Sequence, residues 1–165
     1  MAIRDAMLGE WDHEMANTRK VLAAMPDAAL AFSPHAKSWP MVKLATHVAT
    51  MGMWAHVTCT QTALEMEGSP PSPQPRSTAE VLSIFDEWTA KGRAAIAGTD
   101  DAAMMAPWTL KNRGQAIFAM PRVAVLRGFV LNHMIHHRAQ LTIYLRLVDA
   151  PVPGLYGPSA DERTM

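Results

Sequence analysis

The residues best suited to chemistry are His133 and His137, which lie four positions apart near the end of the longest helix-like run. Residues at this spacing project from the same face of a helix, so the two imidazole rings should lie side by side. The apolar residues around them recur with the three-to-four spacing of a buried stripe, and the histidines take positions where core leucines would be expected. The stripe consists of Leu126, Val130, Leu141, Leu145 and Val148.

Two imidazoles in an apolar interior are costly unless their ring nitrogens find partners. One divalent metal ion meets this need, because each ring can give it a lone pair. The pair is nevertheless a weak motif by itself, since such pairs also occur on helix surfaces or in cores beside a hydrogen-bonding neighbour. A third inward-facing ligand elsewhere in the chain would favour the metal.

Amphipathic helices are predicted to position these histidines. The first covers residues 3 to 25 and ends at Pro26, because proline cannot continue a helix. The second begins near Pro40, a residue favoured at a first helical position, with Ser38 as a candidate cap. It continues until the chain becomes rich in glycine and proline.

Two further helices are predicted in the second half of the chain. The third begins at a capping box, in which Ser77 caps the helix and Glu80 reaches back, and it ends at Gly98. The fourth runs from Pro121 to Pro151.

The connections complete the predicted fold. Residues 69–75 form a proline-rich crossover, and two short β-prone runs around Lys111–Gly114 predict a small hairpin before the last helix. We therefore expect an all-α, antiparallel four-helix bundle with long crossover connections and that one hairpin. Residues 1–165 should form a single domain.

His47 is the candidate third ligand. The buried stripe of the second helix passes Leu44 and Met51, and His47 lies on its border. His56 falls away from this line and should be exposed. Three histidines would leave one position for water or substrate, as in catalytic zinc, nickel or iron centres, whereas a structural site would add a fourth protein ligand.

Composition limits the classes of partner. Fifteen Lys and Arg residues balance fifteen Asp and Glu residues without a basic stripe, so nucleic acid and anionic membranes are poor candidates. The single cysteine, Cys59, excludes an internal disulfide and should be a buried, inert thiol. The chain shows neither a secretory signal nor a run long enough to span a membrane, so we expect a cytoplasmic location.

Three segments together resemble the DinB/YfiT-like superfamily, which is unrelated to the DNA polymerase that shares the DinB label. The resemblance implies a four-helix bundle, commonly a homodimer, that holds a divalent metal ion, with zinc or nickel favoured and iron also compatible. Carried over residue by residue, it selects His47, His133 and His137, and it leaves His136 as a neighbour of the site. The segments are Leu-Ala-x-His-Val at 44–48, His-x-x-His-His-Arg-x-Gln-Leu at 133–141, and the Leu-Arg to Gly-Pro-Ser run at 145–159.

The resemblance does not select one reaction. Members with known activity include thiol-dependent enzymes, among them mycothiol-dependent maleylpyruvate isomerase and bacillithiol transferase, and others are described as metal-dependent hydrolases. We therefore expect a metal-dependent enzyme that acts on a small molecule, either a thiol S-transferase using a low-molecular-weight thiol or a hydrolase. The alternatives are a non-enzymatic metal-binding protein and a dimeric stress-response scaffold.

A hydrolase would also need a proton shuttle, whereas a thiol transferase needs less base catalysis because the metal favours the thiolate. Arg138 and Gln140 match the family motif; surface roles fit both, and Gln140 could also orient an outer-shell group. The candidate shuttles, each of which could equally belong to a solvated face, are Glu10, His13, Glu14, Asp86 and Glu87.

Overall fold

A computed structural model describes residues 2–162 as a mostly helical chain with one small β-sheet. Within this range, no helix combines the length and the apolar character needed to cross a bilayer. The elements in chain order are α1 (Ile3–Ala23), a 3₁₀ turn (Asp27–Ala29), α2 (Met41–Ala49), α3 (Met51–Thr60), β1 (Ala63–Glu65), α4 (Thr78–Ala97), α5 (Asp101–Met105), β2 (Pro107–Asn112), β3 (Gln115–Pro121), α6 (Arg122–Ala124), a π-helical segment (Val125–Leu131) and α7 (Asn132–Leu147).

Helix α1 confirms the first predicted helix and packs against α4 and α7. Its apolar stripe, which includes Trp11 and Met15, is buried in the main core as the spacing predicts. Glu14 is also buried, which excludes the solvated position that was one alternative for it. Its carboxylate is paired in the interior with the guanidinium of Arg138.

The predicted second helix is divided into α2 and α3 at Thr50. The hydroxyl of Thr50 donates to the carbonyl oxygens of Thr46 (3.0 Å) and His47 (3.1 Å), and such bonding back to the helix bends helices. No side chain caps α2, whose first residue follows Pro40, so the predicted cap at Ser38 is wrong.

The small sheet contains the predicted hairpin and one strand that was not predicted. Strands β2 and β3 form the predicted hairpin, and its turn uses Arg113 and Gly114, which have positive φ angles of 52° and 73°. Strand β1 pairs with β2 in parallel, which gives the sheet order β1-β2-β3. The prediction of an all-α bundle with a single hairpin therefore missed β1, which replaces the end of the predicted second helix. The carboxylate of Glu65 accepts hydrogen bonds from both turn residues and ties β1 to the hairpin.

Helix α4 begins as predicted, since the hydroxyl of Ser77 accepts a hydrogen bond from the backbone N–H of Glu80 (3.2 Å). The reciprocal half of the capping box is wrong, because the Glu80 carboxylate accepts from the N–H of Arg76 instead. Helix α3 approaches α4 closely at Gly52, where a Cβ atom would lie 2.4 Å from the carbonyl oxygen of Trp88. Only glycine permits this contact without a shift of the backbone.

The predicted last helix consists of α6, the π-helical segment and α7. π-Helical turns are rare and occur frequently beside functional sites, and this one directly precedes the helix that carries His133 and His137. Helix α7 packs against α2, which carries His47.

The segment after α7 folds back onto the helices. Val152 and Leu155 pack against the main core, and Arg146 forms an ion pair with Asp161 (2.7 Å). The hydroxyl of Tyr156 donates to the carboxylate of Glu14, so the segment is attached to α1 as well as to α7.

Candidate metal centre

Helices α2 and α7 bring the three predicted histidines together. The Nε2 atoms of His47 and His133 are 3.2 Å apart, and those of His133 and His137 are 2.9 Å apart. One ligand atom from each of the three rings lies within 4.8 Å of the others, and all three side chains are partly buried. The spacing of a helix turn brings the second pair together, whereas the packing of α2 on α7 adds His47.

The three Nε2 atoms cannot all be satisfied by one another. A ring nitrogen of a neutral imidazole carries either one proton or one lone pair, yet Nε2 of His133 faces a nitrogen of both other rings. That single proton or lone pair can form only one full hydrogen bond, so at least one of the two contacts is left unsatisfied. A divalent metal ion would receive a lone pair from all three, so the donor set fits a metal with nitrogen ligands.

Gln140 orients the ring of His137. Its side-chain oxygen lies 2.7 Å from Nδ1 of His137 and can only accept, which places the proton on Nδ1 and leaves the Nε2 lone pair facing the cluster. The amide nitrogen of Gln140 donates to Nε2 of His136, an exposed residue (3.2 Å). Gln140 thus orients a histidine of the cluster without belonging to it, and His136 is a neighbour rather than a member of the cluster.

Two of the histidines, His47 and His133, favour the neutral form that metal binding requires. Burial, together with the adjacent rings of His137 and His133, lowers the pKa of His47 to about 4. Burial and the His137 ring also lower the pKa of His133. Protons therefore compete weakly for these nitrogens near neutral pH.

Aromatic side chains enclose the cluster from two sides. The indole of Trp39 lies edge-on to His47, with ring centroids 5.5 Å apart, and stacks near His137 at 6.3 Å. Phe129, in the π-helical segment, packs edge-on to His133 at 5.6 Å. The sequence analysis missed Trp39, because it lies in a loop where no periodic pattern indicates which way a side chain points.

The candidate proton shuttles do not join the histidines. Each of the four carboxylates is engaged by an arginine or a lysine: Glu10 by Arg127, Glu14 by Arg138, Asp86 by Arg19 and Glu87 by Lys91. His13 is exposed and bonds to Asn17. Among residues 2–162, no carboxylate or cysteine belongs to the histidine cluster.

Three other predictions can be compared with the structure. His56 was expected to be exposed but is partly buried beside Trp88, away from the cluster. Cys59 is partly buried, and burial raises the pKa of its thiol, which agrees with an inert role. Arg138 is not a surface residue, since only 1% of it is exposed.

The family model of the DinB family matches residues 2–164, nearly the whole chain. The chain belongs to the DinB family. Among curated proteins, this DinB-family chain is 29% identical over 162 residues to the uncharacterized protein YrdA of Bacillus subtilis (strain 168), covering 96% of this chain and 90% of that protein.

Two solved structures share the fold of this DinB-family chain. A DinB-like protein from Bacillus cereus ATCC 10987 superposes with a TM-score of 0.73 at 22% identity, covering 94% of this chain and 98% of that one. The DinB-like protein YjoA from Bacillus subtilis gives a TM-score of 0.72 at 14% identity, covering 91% and 97%. At these identities the likeness establishes the fold alone.

Proposed function

We propose that this chain binds a divalent metal ion through His47, His133 and His137 and uses it as an enzyme acting on a small molecule. The observation that carries this proposal is the convergence of three Nε2 atoms, because Nε2 of His133 can form a full hydrogen bond with only one of the other two. Zinc or nickel suits three imidazole ligands best, and iron is also compatible.

The protein's own residues prepare the site in three ways. Gln140 fixes the proton of His137 on Nδ1, partial burial keeps His47 neutral, and the rings of Trp39 and Phe129 pack against the histidines. When bound, a metal held by three nitrogens supplies a Lewis acid that lowers the pKa of a water molecule or a thiol.

Of the two reaction types, thiol S-transfer is the better supported. Hydrolysis needs a general base near the metal, and among the described residues no carboxylate belongs to the cluster. A thiol loses its proton more readily than water, so its activation depends less on such a base. The proposed substrate pair is a low-molecular-weight thiol and a small electrophile.

We further propose that the helices form a four-helix bundle that works as a homodimer in the cytoplasm. Leu147 supports a pairing face near the end of α7, because this large hydrophobic side chain is 54% exposed. Gel filtration with light scattering would test the dimer; a monomer at micromolar concentration would contradict it.

The metal assignment is tested by elemental analysis of tag-free protein. Wild type should contain close to one zinc, nickel or iron per chain, and His137→Ala should lose most of it. The matched control is His35→Ala, since His35 is an exposed histidine outside the cluster. A wild type that takes up no metal during reconstitution would refute the proposal, including the enzyme that depends on it.

A loaded protein then allows the reaction type to be tested. Small thiols paired with electrophiles should give turnover that His137→Ala lacks, while esters and amides should give little. Turnover of esters without any thiol would contradict the preference for S-transfer.

A further inference from the structure

A cavity of about 430 Å³ lies beside the histidine cluster. It shares His137 with the cluster, and Gln140, which orients that histidine, also lines it. Its volume falls in the lower part of the range of about 300–1,000 Å³ that small-molecule sites occupy, which suits a metabolite better than a peptide. The lining residues that matter here are Lys37, Trp39, Leu44, His137, Gln140 and Ile143.

Two large apolar side chains of the cavity wall are exposed to solvent, so burial in the core does not account for them. Trp39 is 41% exposed and Ile143 is 59% exposed, although both are large hydrophobic side chains. The loop that carries Trp39 is held in place, since the hydroxyl of Tyr144 on α7 donates to the backbone oxygen of Trp39 (3.0 Å). The backbone of Trp39 is therefore anchored, and its partly exposed indole offers a surface on which an apolar group could pack.

The charged side chains beside this cavity are lysines, so the local charge is positive. Lys37 lines it, and the ammonium group of Lys43 lies 4.9 Å from the centre of the Trp39 ring. Among the described residues that line the cavity, none is Asp or Glu. An anionic group would be attracted to this region, and a cation would be repelled.

We propose that the cavity binds a small organic acid. The carboxylate faces Lys37, and the apolar body packs on Trp39 and Ile143. As an assignment of substrate class, the idea rests on the proposed metal-dependent function, because the cavity meets the candidate metal site at His137. As an assignment of a binding site, it stands on the lining residues alone.

The test compares two ligands of nearly equal shape that differ in charge. Phenylacetate and phenylacetamide are titrated into metal-depleted protein by calorimetry, so that the carboxylate gains nothing from a metal. For ligands of this size we expect a dissociation constant on the order of 1 mM for phenylacetate. The amide should bind about two- to fivefold more weakly, the difference expected for one solvent-accessible charge pair.

Two variants and a control locate the binding. Lys37→Met should remove the preference for the acid, whereas Trp39→Leu should weaken both ligands. Lys91→Met is the matched control, because Lys91 is a lysine that lies over an indole ring, that of Trp88, and does not line the cavity. It should leave both affinities unchanged.

Two results would overturn the binding site: no saturable binding of phenylacetate at up to ~10 mM, or a preference for the acid that survives Lys37→Met. Metal content is measured on the same preparations before depletion. Protein that binds phenylacetate as expected but takes up no metal would refute the proposed function and support the cavity as an organic-acid site. Protein that takes up metal but fails both ligand tests would refute only the organic acid.

Discussion

The substitution Arg138→Met should destabilise the protein strongly, although Arg138 contacts none of the three histidines. One guanidinium nitrogen of Arg138 lies 2.7 Å from the carboxylate of Glu14, and the two side chains are only 1% and 7% exposed. The same nitrogen donates to the backbone oxygen of Glu14 and to the hydroxyl of Thr18. The other donates to the hydroxyl of Tyr156. Methionine fills a similar volume but leaves the Glu14 carboxylate buried without a cation.

The size of the effect follows from that buried charge. Removing one member of a buried ion pair costs about 3–5 kcal/mol, because the remaining charge keeps its desolvation penalty. In a domain of this length, each kcal/mol shifts the melting temperature by about 2–4 °C, so the transition should fall by about 6–20 °C. The double variant Glu14→Gln/Arg138→Met should recover much of this loss, since it buries no charge and still offers Tyr156 an acceptor.

Urea and thermal unfolding, followed by far-UV circular dichroism at neutral pH, measure these differences. The control is Arg93→Met, because Arg93 pairs with Asp12 at 2.7 Å in an exposed position and should contribute far less. Metal content of the folded Arg138→Met protein should match wild type. If Arg138→Met lowers stability by less than about 1 kcal/mol, or if the double variant is less stable than Arg138→Met, the buried-charge explanation is wrong.

Two further predictions concern the histidine cluster. Gln140→Leu should weaken metal binding about tenfold, because the ring of His137 loses the acceptor that orients it; competition with a chelator measures this, and an unchanged affinity would count against Gln140. In metal-depleted protein, stability should fall as pH drops from 6.5 to about 4, because unfolded His47 takes up a proton with an ordinary pKa while the folded form resists protonation until about 4. His47→Gln should flatten this dependence in urea titrations at several pH values, and identical slopes in both proteins would contradict the assignment.

The local helical pattern predicted much of the scaffold. Helices α1 and α4 were confirmed, because their apolar stripes and the Ser77 cap are properties of a few neighbouring residues. The helix break at Thr50 and the π-helical segment could not be read in this way. Both change the backbone without interrupting the apolar pattern that predicts a helix.

The same distinction between local patterns and long-range packing applies to the candidate site. That His133 and His137 share a face follows from the geometry of any helix, and the contact of Gln140 with His137 spans only three residues. The phase of His47 indicated an inward position, and the structure places it beside the other two. Their role as metal ligands stays a prediction.

The sequence by itself therefore determined helices α1 and α4, the two paired histidines and the direction in which His47 points, because all of these follow from spacing along one helix. Only the tertiary structure decided which distant segments meet. It paired β1 with β2, buried Arg138 against Glu14 from the far end of the chain, and placed Trp39 against the histidines. Such contacts depend on how whole elements pack, and no local period along the chain encodes them.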